Sequence, residues 1–288
     1  MRKTTKLREL INQAGLLMAP GCYDALTAKL IAEAGFPVIY ITGAGVANSQ
    51  LGKPDVGLTT MTELVWQARN ITEAVDVPVF CDADTGYGNA INVMRTIREY
   101  ERAGLAGLHL EDQITPKQCG HFDGKAVISK EEMVRKIEAA VYARQDPDFI
   151  IIARTDARAV TGFDDTIERA KAYRAAGADM IFFEAPQSVD ELREVSRRVD
   201  APLVANMVEG GKTPLTTATQ LEEMGYKLAI YANFVQRTMI KAVQSGLAEL
   251  KRAGTPEHLQ DQMVTFEERQ RIAGLPQIRE LEARFLRF

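Results

Sequence analysis

Cysteine is scarce in this chain and odd in number. Cys22, Cys81 and Cys119 are the three among 288 residues, with no paired spacing, which argues against a disulfide framework and for a reducing compartment. Long apolar runs are missing too. None approaches the ~20 residues of a membrane span, and the opening MRKTTKLREL lacks the apolar stretch of a secretory signal. Nor is there a surplus of positive charge: the net charge of −4, with signs interspersed, leaves no basic stripe for nucleic acid. These absences predict a cytoplasmic protein whose partner is a small molecule, with no role for nucleic acid or membrane.

What is present suffices for a large core. With 46% hydrophobic and 26% charged residues, the whole chain, 1–288, fits one α/β domain. Short apolar runs recur at 16–21, 37–43, 77–84, 107–112, 149–157, 179–186, 202–207 and 228–233, and helix-period segments closing on Gly, such as 90–104 and 164–177, lie between most of them. Strand then helix, repeated, means a parallel sheet buried on both faces, and right-handed crossovers through eight units close into a TIM-type (β/α)8 barrel. An open doubly wound sheet is the alternative. Its nucleotide fingerprint is absent, since CYDAL at 22–26 carries no Gly-x-Gly-x-x-Gly, and no nucleotide cofactor is expected. Residues 234–288 are helical by pattern and exceed what a barrel needs, so their apolar stripe must pack on something.

In such barrels the active site gathers at the carboxyl ends of the strands. Those ends read Tyr40, Thr42 and Gly43; Asp82 and Asp84; His109 and Glu111; Arg154 and Asp156; then Glu184, Asn206 and Asn233. Acids converging on one mouth repel each other without a cation, so Asp82, Asp84 and Glu111 form a candidate site for a hard metal ion such as magnesium, with manganese as the alternative. A plain pair of turn or cap aspartates is the bland reading of Asp82 and Asp84. Arg154 is a candidate clamp for a substrate carboxylate, or else an internal partner of Asp156 or Glu184. His109 reads as a core histidine rather than a ligand.

The segment ITPKQCGHFDGK at 114–125 is too polar to be core and reads as a lid or binding loop. Cys119 sits at its centre between Lys117 and His121, a setting that favours a proton-transferring thiol. An inert small residue in a tight turn is the alternative.

The strings DADTGYG, HLEDQ, KQCGH, IIARTDA, FFEAP and LVANMVEGGKTP, in this order, resemble the isocitrate lyase/phosphoenolpyruvate mutase superfamily over essentially the whole chain. The likeness is greatest to its short members, the methylisocitrate and 2,3-dimethylmalate lyases and a carboxyphosphonoenolpyruvate phosphonomutase. It implies magnesium held by Asp82, Asp84 and Glu111, partly through water, and a pyruvyl group held by backbone amides at Thr42, Gly43 and Ala44. Cys119, on a mobile lid with Gly120 and His121, is then the acid that protonates the departing carbanion. Tyr40 is a base for the substrate hydroxyl, and Arg154, Glu184, Asn206 and Arg237 position the carboxylates. The implied reaction is retro-aldol cleavage of a substituted 2-hydroxy di- or tricarboxylate to pyruvate and a carboxylic acid. Phosphonomutase or oxaloacetate chemistry, and binding of a 2-oxo acid without turnover, are the alternatives. The resemblance also implies a homodimer or homotetramer with the helices of 234–288 swapped between subunits.

Some positions depart from the lyase pattern. Gln118 and Phe122 stand where basic residues are usual, no arginine stands near Phe266, and MVEGG occupies 207–211. Fewer cations suit a malate-like dicarboxylate, because a buried carboxylate without a partner is costly.

Overall fold

The computed structural model describes residues 1–120 and 124–286, which form two compact units, Met1–Val235 and Gln236–Phe288. The first unit is the expected barrel. Strands β1 (Leu17–Cys22), β2 (Ile39–Ile41), β3 (Val79–Asp82), β4 (Gly107–Glu111), β5 (Ile150–Thr155), β6 (Met180–Phe183), β7 (Leu203–Asn206) and β8 (Leu228–Tyr231) pair in parallel and in sequence order until β8 meets β1. Each apolar run thus became a strand, because a strand covered by helices outside and side chains inside is buried on both faces.

Alternation along the strands sorts the side chains into two cores. Ile39, Ile41, Cys81, Leu108, Ile151 and Ile181 point outward against helices such as Met61–Ala74, Ala90–Arg102 and Lys130–Ala143. Tyr40, Phe80, Ile150, Ile152, Phe182 and Ile230 fill the lumen, joined by Leu7 and Ile11 of the N-terminal helix Lys3–Asn12. That helix is also fixed by Lys3, which donates to the carbonyls of Thr72 and Val75, and by Arg8, paired with Asp148 and Asp179. Many of the helices start on a side-chain cap: Asp24, Thr60, Asn89 and Thr217 each close a capping box, which satisfies amide donors the helix cannot. Among the described residues no helix is long and apolar enough to cross a membrane.

Residues 234–288 are helical as their pattern predicted, in Phe234–Ala253, Phe266–Ala273 and Leu275–Phe285. Within the second unit Met239, Ile240, Val243, Leu247 and Leu250 are exposed along the first of these helices.

Candidate active site

Register sets the layout of the mouth. Asp82 stands beside His109 and Glu111 beside Arg154 across neighbouring strands, so the polar strand ends form one continuous wall. Tyr40, Thr42, Ala44, Asp55, Asp82, Cys119, Gly120, Arg154, Glu184, Asn206, Val208, Ala232 and Asn233 line a cavity of about 30 Å³ there. That is room for about two waters. The backbone is strained at its rim: Asp84 and Ala185 take positive φ values of 45° and 56°, a region that non-glycine residues seldom occupy outside functional sites.

Asp84 turns back on the strand end, its amide donating to Asp82 Oδ1 at 2.9 Å. The three expected ligands do not form a cage: among the described residues no three His, Cys, Asp or Glu side chains are placed to share an ion. Lys117 stands among them. Its buried Nζ lies 2.9 Å from Asp84 and 2.5 Å from Asp55, so one of the three carboxylates already has a cation. The positive charge expected to act on Cys119 is thereby spent on two aspartates.

Magnesium needs only one or two protein carboxylates, keeping water in its other positions, and the donors present fit that arrangement. Asp82 faces the cavity, and neither carboxylate oxygen of buried Glu111 accepts a hydrogen bond among the described residues. Burial pushes the Glu111 carboxyl well above its usual range, with Asp156 and Asp82 adding to the effect and Arg154 opposing it. Asp55, Asp82, Asp84, Glu111, Asp156 and Glu184 outnumber Lys117, Lys125 and Arg154 beside them. Carboxyls that burial keeps from ionising, as at Glu111, are ones a divalent cation would favour in the charged form.

Arg154 is both clamp-like and internally paired. Its Nε and Nη2 donate to the two oxygens of Asp156 at 2.8 and 3.1 Å, Glu111 and Glu184 lie 3.4 and 3.3 Å away, and the guanidinium rests over the Phe182 ring at 5.0 Å. Burial works against an ionised Asp156, but Arg154 and Lys125 outweigh it and hold the carboxyl well below the usual range. Asn206 Nδ2 donates to Glu184 Oε2 at 3.2 Å. Gly120 lies against this group, since a Cβ there would come within 2.4 Å of Arg154 Nη2 and 2.9 Å of Glu184 Cγ.

Two of the expected groups already have partners. Burial, with Asp82 adding, pushes the Tyr40 phenol well above its ordinary value, and its oxygen lies 2.9 Å from His109 Nε2. Held as a phenol, Tyr40 shares its hydrogen bond with His109. The amide of Thr42 already donates to the Cys22 carbonyl at 3.1 Å, leaving those of Gly43 and Ala44 at the start of the short helix Gly43–Val46. Gly43 is confined as well, because a Cβ would fall 2.7 Å from Asp82 Oδ2.

Arg237 belongs to the second unit, in the helix Phe234–Ala253. His121 lies outside the described residues. The sequence reading missed Asp55 and the ion-pair role of Lys117, which stand 62 positions apart with no local pattern to link them. It also missed Lys125 and Gln113, although HLEDQ and DGK frame the Cys119 segment.

The family model described as phosphoenolpyruvate phosphomutase matches residues 7–251. The chain belongs to the PEP mutase/isocitrate lyase superfamily. Among members of this superfamily, it is 50% identical to a 2,3-dimethylmalate lyase of Eubacterium barkeri over 98% of both chains. It is equally identical, at 50%, to a 2-methylisocitrate lyase of Aeropyrum pernix over 90% of this chain and 83% of the relative. A crystal structure of a 2,3-dimethylmalate lyase superposes with a TM-score of 0.93 at 37% identity, covering 99% of this chain and 95% of that one. A phosphonopyruvate hydrolase crystallised with oxalate and Mg²⁺ has a TM-score of 0.91 at 30% identity, each chain covered completely at 100%.

Proposed function

We propose that this superfamily member is a cytoplasmic, magnesium-dependent carbon–carbon lyase that cleaves 2,3-dimethylmalate, or a closely similar substituted malate, to pyruvate and a carboxylic acid. The observation that carries this reading is the packing of the Cys119–Gly120 wall on Arg154 and Glu184 in a cavity that also contains Asp82. An acid, a carboxylate clamp and a metal-ligating group then face one substrate. Val208 and Ala232 in the same lining suit methyl substituents, and Arg154, already matched by Asp156, supports two carboxylates rather than three.

Asp82, Glu111 and Asp84 would hold the ion, which would supply polarisation of the substrate hydroxyl and its neighbouring carboxylate. The amides of Gly43 and Ala44 donate to the pyruvyl end, where such donors are worth about 3 kcal/mol each. Arg154 and Asn206, with Glu184 orienting them, receive the distal carboxylate. A carboxylate of the acidic wall takes the hydroxyl proton. The C2–C3 bond breaks, its electron pair stays on C3 beside the distal carboxylate, and the Cys119 thiol delivers a proton there. Because the cavity has room for about two waters, the Cys119 wall must give way for substrate to enter.

We also propose a homodimer or homotetramer with the C-terminal helices exchanged. An apolar cavity of about 550 Å³ on the first unit, lined by Met18, Leu30, Phe36, Met207, Leu215 and Phe234, supports this, as does the exposed apolar stripe of the helix Phe234–Ala253. Light scattering of the full chain tests it.

The activity is tested by kcat/KM for 2,3-dimethylmalate, 2-methylisocitrate, citramalate, isocitrate, oxaloacetate and a carboxyphosphonate, with magnesium present. The substituted malate is expected to lead. Turnover of the phosphonate with no pyruvate from any hydroxy acid would sink the lyase reading.

A further inference from the structure

The backbone is gripped on both sides of Cys119 by side chains that do not line the cavity. Before it, the Gln113 side chain binds both backbone groups of one residue: Nε2 donates to the Gln118 carbonyl at 2.8 Å, and Oε1 accepts the Gln118 amide at 3.0 Å. After it, Lys125 Nζ donates to the Gly120 carbonyl and, at 2.8 Å, to Asp156 Oδ1. The Lys125 side chain is 1% exposed. An amide side chain that satisfies a donor and an acceptor on the same residue fixes the direction of that peptide, and a buried ammonium on a carbonyl is a charge-assisted bond of about twice the usual strength.

Asp156 joins the two halves of the site. The carboxylate that receives Lys125 also receives Nε and Nη2 of Arg154, and its own amide is anchored on Asp112 Oδ1 at 2.9 Å. Asp112 in turn accepts from Thr155 and Tyr173, each at 2.8 Å. Lys125 therefore ties the Gly120 carbonyl to the residue that orients the guanidinium, and Gly120 itself packs closely on Arg154 Nη2.

We propose that Gln113 and Lys125 are positioning residues that fix the Cys119 thiol relative to Arg154, one from each side of the cysteine, with Asp156 as the shared anchor. The inference rests on the reading of Cys119 as the acid of the lyase. Neither residue lines the cavity. Their effect is on where the proton is delivered, so a loss of either shows in kcat before it shows in KM.

Full-length Gln113→Met and Lys125→Met proteins test this by two readouts. The first is the rate of iodoacetamide labelling at Cys119, read by mass spectrometry with buried Cys22 and Cys81 as references. The second is kcat and KM for pyruvate release from 2,3-dimethylmalate. Positioning predicts Cys119 labelling about tenfold faster, native rates at Cys22 and Cys81, and a kcat about a hundredfold lower, with KM unchanged in Gln113→Met. Native labelling and native kcat in both variants would overturn the proposal. So would equal acceleration at all three cysteines, which marks general unfolding. If the native protein cleaves no hydroxy acid, the lyase reading falls, and the labelling ratio still decides whether the two side chains anchor Cys119.

Discussion

Tyr40 and His109 share a hydrogen bond of 2.9 Å between the phenol oxygen and Nε2, sealed in the lumen directly beneath the mouth. The imidazole is also 3.6 Å from Asp82 through Nδ1 and stacks on the Tyr40 ring. Burial holds His109 neutral, lowering its pKa from 6.5 to about 4, with Arg154 and Lys117 adding to the effect and Asp82 and Glu184 opposing it. The unfolded chain takes up a proton as the pH falls through 6.5, whereas the folded chain takes it up only near 4. The contribution of His109 to stability is therefore complete above the higher value and is lost as the pH falls towards the lower, by up to about 3 kcal/mol. Chemical denaturation across this window is expected to show a smaller loss in His109→Gln than in the native protein.

Lys117 pairs with two carboxylates at once, so its removal leaves Asp55 and Asp84 facing each other without a cation. Lys117→Met is expected to lose about 3–5 kcal/mol. Adding Asp55→Asn should recover part of that loss, because one of the two opposed charges disappears. A thermal melt of the single and double variants checks this; equal instability in both would contradict the pairing.

Gly120→Ala tests the packing of the Cys119 segment on the guanidinium. The added methyl would lie 2.4 Å from Arg154 Nη2, and the displacement is expected to lower kcat/KM by about a hundredfold. Melting behaviour should change little, since the residue borders a cavity rather than the core.

Removing divalent cations is expected to abolish turnover. Magnesium should restore it, manganese should substitute, and calcium, which prefers more ligands at longer distances, should restore little. Titration of the chelated enzyme with each ion, read as initial rate, checks the order.

The barrel was legible because burial on two faces writes itself into the sequence as unbroken apolar runs, from PVIYITG to LAIYAN. The polar strand ends were legible for a related reason, since a charged residue closing an apolar strand, such as Arg154 or Glu184, has few other places to go. Pairings between distant residues were not. Nothing local to Asp55 marks it as the partner of Lys117, and Thr42 gives no hint that its amide is already bound to Cys22. The burial of Tyr40 was not legible either, because sequence places a phenol at a strand end without saying how deeply it sits. Gln113 was overlooked because its role lies in a contact with the backbone of Gln118, which no side-chain pattern records.

The most direct measurement is cleavage of 2,3-dimethylmalate by the native protein and Cys119→Ser in D₂O with magnesium, following both products. Retro-aldol cleavage with Cys119 as the acid predicts equimolar pyruvate and propionate from the native protein, a single deuterium at C2 of the propionate, and a much reduced rate in the variant. Absence of both products, or identical rates in the native protein and Cys119→Ser, would contradict it.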